Sequence, residues 1–233
     1  MLHTRLLALT LAAASSLGAS AGTVVLTQPW SDVPLMVASQ AGFAKAFDNF
    51  SLAQATTLTD LHWTGNFQNP TQPPLTAFAT DFLVEIWADD GGQPGSTPLY
   101  SAVLTDAVAT PVTTAQPALL VFAYDADLPT ACDAAAGTSY WLSIQATTSW
   151  QDAGAQWMWG PGTGGDGKLY QQVLAFSDPP VRRDWDLAFS LTAASPAQVP
   201  EPAGVARAGA ALLGALQGRR ARAAGQAPSR RQA

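Results

Sequence analysis

Asp184-Trp185-Asp186-Leu187-Ala188-Phe189-Ser190-Leu191 decides the fold class. Trp185, Leu187, Phe189 and Leu191 share one parity, and Asp184, Asp186, Ala188 and Ser190 take the other. Two is the side-chain period of a β-strand, so the stretch reads as a half-buried strand with one apolar face. Similar patterns stand elsewhere. Leu61, Trp63 and Phe67 share a parity with Gly65 between them, and Tyr140, Leu142 and Ile144 oppose Trp141, Ser143 and Gln145. Phe82, Val84 and Ile86 oppose Leu83, Glu85 and Trp87; both sets are largely apolar, which suits a central strand. Residues 119–124 form a continuous apolar run that ends at Asp125.

Turn signals separate these runs. The clearest is Asp89-Asp90-Gly91-Gly92-Gln93-Pro94-Gly95; others lie at residues 69–74, 136–137, 161–167 and 178–180. No long stripe with a 3.6-residue period appears over residues 22–192, and no repeat has solenoid or propeller spacing. Short strands between Gly/Pro turns predict an all-β domain, a β-sandwich or jelly roll, over residues 22–192. A domain of that length buries enough surface to fold without a disulfide scaffold. Cys132 is the sole cysteine, so no intramolecular disulfide forms, and a small buried or half-buried side chain is expected there.

Between residues 22 and 198 the basic side chains are Lys45, Lys168, Arg182 and Arg183, against 16 acidic ones, which leaves this stretch near −12. Such a domain repels phosphate backbones and offers no basic patch to an anionic membrane, which argues against a nucleic-acid partner.

The two ends have a different composition. Arg5 precedes an apolar run over residues 6–17, and Ala19-Ser20-Ala21 is a small-x-small cleavage site. Residues 1–21 therefore read as a secretory signal, with the mature chain starting at Gly22. At the other end, a small-residue linker (193–198) leads to Val199-Pro200-Glu201-Pro202. An Ala/Gly/Leu-rich segment (203–218) follows, then Arg219-Arg220-Ala221-Arg222 and a basic tail (223–233) expected to be disordered. Membrane insertion explains that order, with the apolar run in lipid and the arginines held on the cytoplasmic side.

The order resembles the PEP-CTERM sorting signal of exported bacterial proteins, over residues 199–222. Pro200, Glu201 and Pro202 match the motif, and Arg219, Arg220 and Arg222 match the basic stop. The resemblance implies processing by an exosortase-like machinery, transient anchoring in the inner membrane, and a final location at the cell surface or outside it. Arg207 and Gln217 depart from the pattern, since a spanning helix wants about 20 apolar residues. A second resemblance covers about residues 40–192. Phe47-Asp48-Asn49-Phe50-Ser51-Leu52, Thr57-Leu58-Thr59-Asp60-Leu61-His62-Trp63, the stretch from Ile86 to Gly95 and Asp186-Leu187-Ala188-Phe189 look like parts of PEP-CTERM passenger domains. It implies a jelly-roll-like module and no particular activity.

The search for chemistry finds little. His62 is the only histidine after the signal, lies opposite Leu61 and Trp63 in parity, and has no Gly-x-Ser-x-Gly elbow to serve. A glycosidase needs two carboxylates at a set separation. Glu85 stands mid-strand, and Asp184 and Asp186 share a strand face that reads as solvated. Zinc ligation lacks His and Cys. Calcium has Asp89 and Asp90 as candidate ligands, with an ordinary Asp-Gly turn as the competing reading. No cofactor is implied, because the glycine run at residues 161–167 lacks the lysine of a phosphate loop. Tryptophan is the one excess, eight in all. Trp150, Trp157 and Trp159 are candidates to stack on sugar rings, with burial in the core as the alternative.

The leading expectation is a non-enzymatic cell-surface or extracellular-matrix protein that is structural or mediates contact. The alternative is a carbohydrate-binding module for exopolysaccharide, using the Trp cluster. A carboxylate-dependent hydrolase is the second alternative.

Overall fold

A computed structural model describes residues 22–68, 81–105, 107–115, 120–148, 155–176 and 179–194, all within the unit that ends at Ser195. The expected signal peptide, most of the linker, the whole sorting segment and the basic tail lie outside these residues, as does Trp150.

The described residues are predominantly β, as the alternating parity requires, and every strand pair is antiparallel. The spine of a seven-stranded sheet is β4 (Thr56–Gln68). One side of it pairs β8 (Val121–Ala134), which pairs β7 (Val108–Val112). The other side is shared by β15 (Phe189–Ala193) along its first half and β10 (Gln156–Trp159) along its second. Outside these lie β1 (Thr23–Gln28) on β15 and β2 (Val37–Ala38) on β10.

The second large sheet runs β13 (Val181–Arg183), β12 (Leu169–Val173), β3 (Ala44–Ser51), β9 (Ser139–Ala146), β5 (Phe82–Asp89), β6 (Pro94–Leu104). A small third pair joins β11 (Pro161–Gly162) to β14 (Asp186–Leu187).

Both large sheets give side chains to one apolar cluster. From β4 come Leu58, Leu61, Trp63 and Phe67; from β5 and β9 come Phe82, Val84, Ile86, Leu142 and Ile144. The parity read from the sequence thus sets which face is inward. Phe82 of the six-stranded sheet makes edge contacts with Trp63, Tyr124 and Trp157 of the seven-stranded one, at centroid distances of 4.9, 4.9 and 5.1 Å. Gly65 has inward parity for a steric reason. A Cβ there would lie 2.6 Å from Cζ2 of Trp157, so the missing side chain is the space the indole fills.

Two strands depart from the sequence reading. The stretch from Asp184 to Leu191 is not one strand: β14 and β15 are separated at Ala188, and Asp184 lies in a bend. The Ala188 N–H donates to Gly160 O, and its carbonyl accepts from Thr64 N–H and Trp159 Nε1–H. Those bonds turn the chain from β11 to β4, and they bury Asp186 and Ala188 on the face expected to be solvated. The other departure is β8, which continues past Asp125 to Ala134. A register shift between Leu58 and Asp60 accommodates it, and Pro129 sits within the strand at that irregularity.

Candidate functional site

A polar corner forms where β1, β3 and the loop after β11 meet. A cleft of about 320 Å³ opens there, lined by Thr27, Gln28, Asn49, Ser51, Ser139 and Asp166 with Gly164 and Gly165. Two buried carboxylates adjoin its lining: Asp186 is bonded to Gly165, and Asp48 precedes Asn49 in β3. Asp48 has the inward parity of Ala44, Ala46 and Phe50 and is fully buried. It accepts a hydrogen bond from the amide of Leu187, the last residue of β14 before the Ala188 break. Asp186, 7% exposed, accepts from Gly165 N–H at 3.1 Å and from Gly167 N–H at 2.7 Å. The glycine run is therefore an amide cradle for a protein carboxylate, not for a phosphate.

Burial pushes the Asp48 carboxyl well above the usual aspartate range. The Leu187 amide opposes that shift, while the Asp186 charge adds to it. Burial works the same way on Asp166, but hydrogen bonds from Lys168 and Asn49 and the Lys168 charge bring its carboxyl below the ordinary value. The distances are 2.7 Å from Lys168 Nζ and 2.9 Å from Asn49 Nδ2.

The outward face of the six-stranded sheet carries a different chemistry. Cross-strand register sets Tyr170 opposite Phe47, and Trp141 opposite both Asn49 and Trp87. Edge contacts join Phe47 to Trp87 at 5.7 Å and Trp141 to Tyr170 at 5.3 Å. Phe47 and Trp141 are buried beneath their neighbours, whereas Trp87 and Tyr170 are half-buried and keep part of their surface in solvent. Lys45 Nζ lies 5.4 Å from the Trp87 ring and 2.6 Å from Glu85 Oε2. An aromatic surface with one ion pair and amide neighbours can stack on a flat ring and hydrogen-bond its rim.

The structure separates the residues singled out by sequence. Trp157 and Trp159 are fully buried, packed against Phe82 and Phe189, so they are core residues and form no surface platform. The sequence placed them correctly on one strand face, but that face points inward. Asp89 closes its own turn: Oδ2 accepts from Gly92 N–H at 3.0 Å and Oδ1 from Trp141 Nε1–H at 2.8 Å, while Asp90 is exposed. Asp184 is exposed and 3.0 Å from Arg182, apart in environment from buried Asp186. His62 is partly exposed on the seven-stranded sheet, with Nε2 3.0 Å from Asp60 and Nδ1 2.6 Å from Asp125. It does not line the cleft that Ser51 and Ser139 line. Cys132 is a half-buried free thiol whose pKa is raised by burial and then by Asp133. The sorting residues Pro200, Glu201, Pro202, Arg219, Arg220 and Arg222 lie outside the described residues.

Among the described residues no three His, Cys, Asp or Glu side chains gather as a metal-ligand set, and no helix is long and apolar enough to cross a membrane. The profile of a domain of unknown function, DUF7901, matches residues 35–192, more than half of the chain. The chain belongs to the DUF7901 family. The DUF7901 span takes in β2 through most of β15 and both sites above, except for β1 with Thr27 and Gln28. No curated protein matches the chain.

Sequence reasoning did not single out Gln28, Asp48 or Asn49. The readable signal was parity: Asp48 stands on the apolar side of the alternation Ala44, Ala46, Phe50, where a charged residue demands a buried partner.

Proposed function

We propose that this DUF7901 protein is an exported, non-enzymatic contact protein of the cell surface or extracellular matrix, and that its domain is a jelly-roll-like β-sandwich. Two facing antiparallel sheets over a shared core support the sandwich reading. The export reading rests on residues 1–21, and sorting by an exosortase-like machinery rests on Pro200-Glu201-Pro202 followed by Arg219, Arg220 and Arg222.

The observation that carries the contact function is the outward face of the six-stranded sheet, where Trp87 and Tyr170 stand partly in solvent above Phe47 and Trp141. Rings supported from beneath lose little freedom when a ligand covers them, so stacking on them is favourable. Exopolysaccharide is the partner this surface fits, and these rings replace the buried Trp157 and Trp159 in that role. The ionisable groups near it serve structure: Glu85 pairs with Lys45, and Asp89 holds the Trp141 indole.

Mass spectrometry of the protein recovered from the surface and medium of its own cells tests the sorting half. The expected species starts near Gly22 and ends near Pro200 to Pro202. Met1 retained in the cytoplasm would overturn it.

A further inference from the structure

Two buried oxygens at the polar corner, Gln28 Oε1 and Asp48 Oδ1, have no hydrogen-bond donor. Both are acceptors. Gln28 is 3% exposed, and its amide orientation is fixed because Nε2 donates to the Asn49 carbonyl at 3.3 Å. Its oxygen is thereby aimed at the Gly165 backbone. A Cβ on Gly165 would lie 2.6 Å from both Gln28 Oε1 and Asp186 Oδ1, so these two atoms converge beside it.

The charges point the same way. Asp48 and Asp186 repel each other, and Asp166 adds to the field at Asp48. Neither Asp48 nor Asp186 forms an ion pair among the described residues; Lys168, the near cation, is held by Asp166. One proton on Asp48 would serve that carboxyl and Gln28 Oε1 but would leave the buried Asp186 charge without a cation. A divalent cation would satisfy both oxygens and offset both carboxylates.

We propose that Asp48, Asp186 and Gln28 Oε1 hold a hard divalent cation, of which calcium is the fitting one. The donors are all oxygen, which excludes a zinc-type set of nitrogen and sulfur. They are also of mixed kind, two carboxylates and one amide, and water from the adjoining cleft would complete the shell. Calcium accepts six to eight such ligands in irregular geometry, whereas magnesium demands a near-ideal octahedron. The site differs from the Asp89 and Asp90 turn, whose oxygens are spent on the hairpin or face solvent. Its ligands come from β1 of one large sheet, β3 of the other and β14 between them, so the ion would cross-link the two layers.

The test uses the full chain, stripped with chelator and titrated with calcium chloride, read by calorimetry and by thermal midpoint. The expected result is one calcium per chain, a midpoint that rises with calcium, and a weaker response to magnesium. Asp186→Asn and Gln28→Leu should each weaken calcium binding at least about tenfold. Gln28→Leu removes an amide oxygen and no charge, so it remains informative if Asp186→Asn fails to fold. No heat and no midpoint shift up to about 10 mM calcium, beyond the range of extracellular modules, would overturn the proposal. An unchanged calcium response in Gln28→Leu would overturn it too.

Discussion

The ring of Phe82 meets that of Trp63 edge-on, with centroids 4.9 Å apart and planes at 76°. The two residues belong to different sheets, so this contact fastens the layers. Phe82 is fully buried and also touches Tyr124 and Trp157. Phe82→Ala is expected to cost about 3–5 kcal/mol, the usual loss for a buried phenylalanine. Urea unfolding of the two proteins measures it, and a loss below about 1 kcal/mol would mean the layers are fastened elsewhere.

Gly65→Ala fails for the opposite reason. Its Cβ would come 2.6 Å from the Trp157 ring and 2.7 Å from the Met158 carbonyl. Backbone cannot yield as a flexible side-chain tip does, so overpacking should cost about 1–3 kcal/mol. Gly91→Ala, in the exposed hairpin after β5, should leave Trp157 undisturbed. Comparing the tryptophan fluorescence of the two variants separates core disruption from a general effect of replacing glycine.

Asp48 predicts a pH dependence. Its folded-state pKa is raised by burial, so the folded protein binds the proton more tightly than the unfolded chain. The associated stability is full below the ordinary aspartate value and is lost as pH rises toward the folded one. In chelator, stability should therefore decline on moving from about pH 4 toward neutrality, and Asp48→Asn should flatten that decline. Calcium should reduce it as well, because a bound cation favours the ionised carboxylate. Denaturant midpoints across the range, with and without calcium, give the answer.

Lys45 and Glu85 form a 2.6 Å ion pair with side chains only 16% and 10% exposed. Lys45→Met leaves Glu85 without its partner and should cost about 2–3 kcal/mol. The double variant Lys45→Met with Glu85→Leu should cost less than the single one, since no lone charge remains. A double-mutant cycle returns the coupling.

How much of this the sequence carried depended on local pattern. The faces of β4, β5 and β9 were legible because Leu61, Trp63, Phe82, Val84, Leu142 and Ile144 alternate cleanly with period two. The break at Ala188 was not, because it is made by Gly160 and Thr64, which are distant in sequence. The far half of β8 was hidden by Pro129 and by small and acidic residues of low strand propensity; pairing with β4 overrides that propensity. On β10 parity put Trp157 and Trp159 on one face, but with apolar Met158 between them it did not tell which face is inward. A core and a platform reading both stayed open for them, and they are core. Conversely, Trp87 and Trp141 sit on a sheet face that only register identifies as one surface. The polar corner needed Gln28, Asp48 and Asp186 to come together from three strands, a juxtaposition no spacing announces.

The contact function is tested most directly by the affinity of the protein for the exopolysaccharide of the cell that makes it, compared between the natural chain and Trp87→Ala and Tyr170→Ala. Each ring covers a buried neighbour, so the thermal midpoint of each variant is measured alongside to separate loss of the ring from loss of the fold. Loss of either stacking ring is expected to weaken binding about tenfold, equivalent to roughly 1.4 kcal/mol of ring contact. Binding that persists unchanged in both variants, or no binding by the natural chain, would contradict the account.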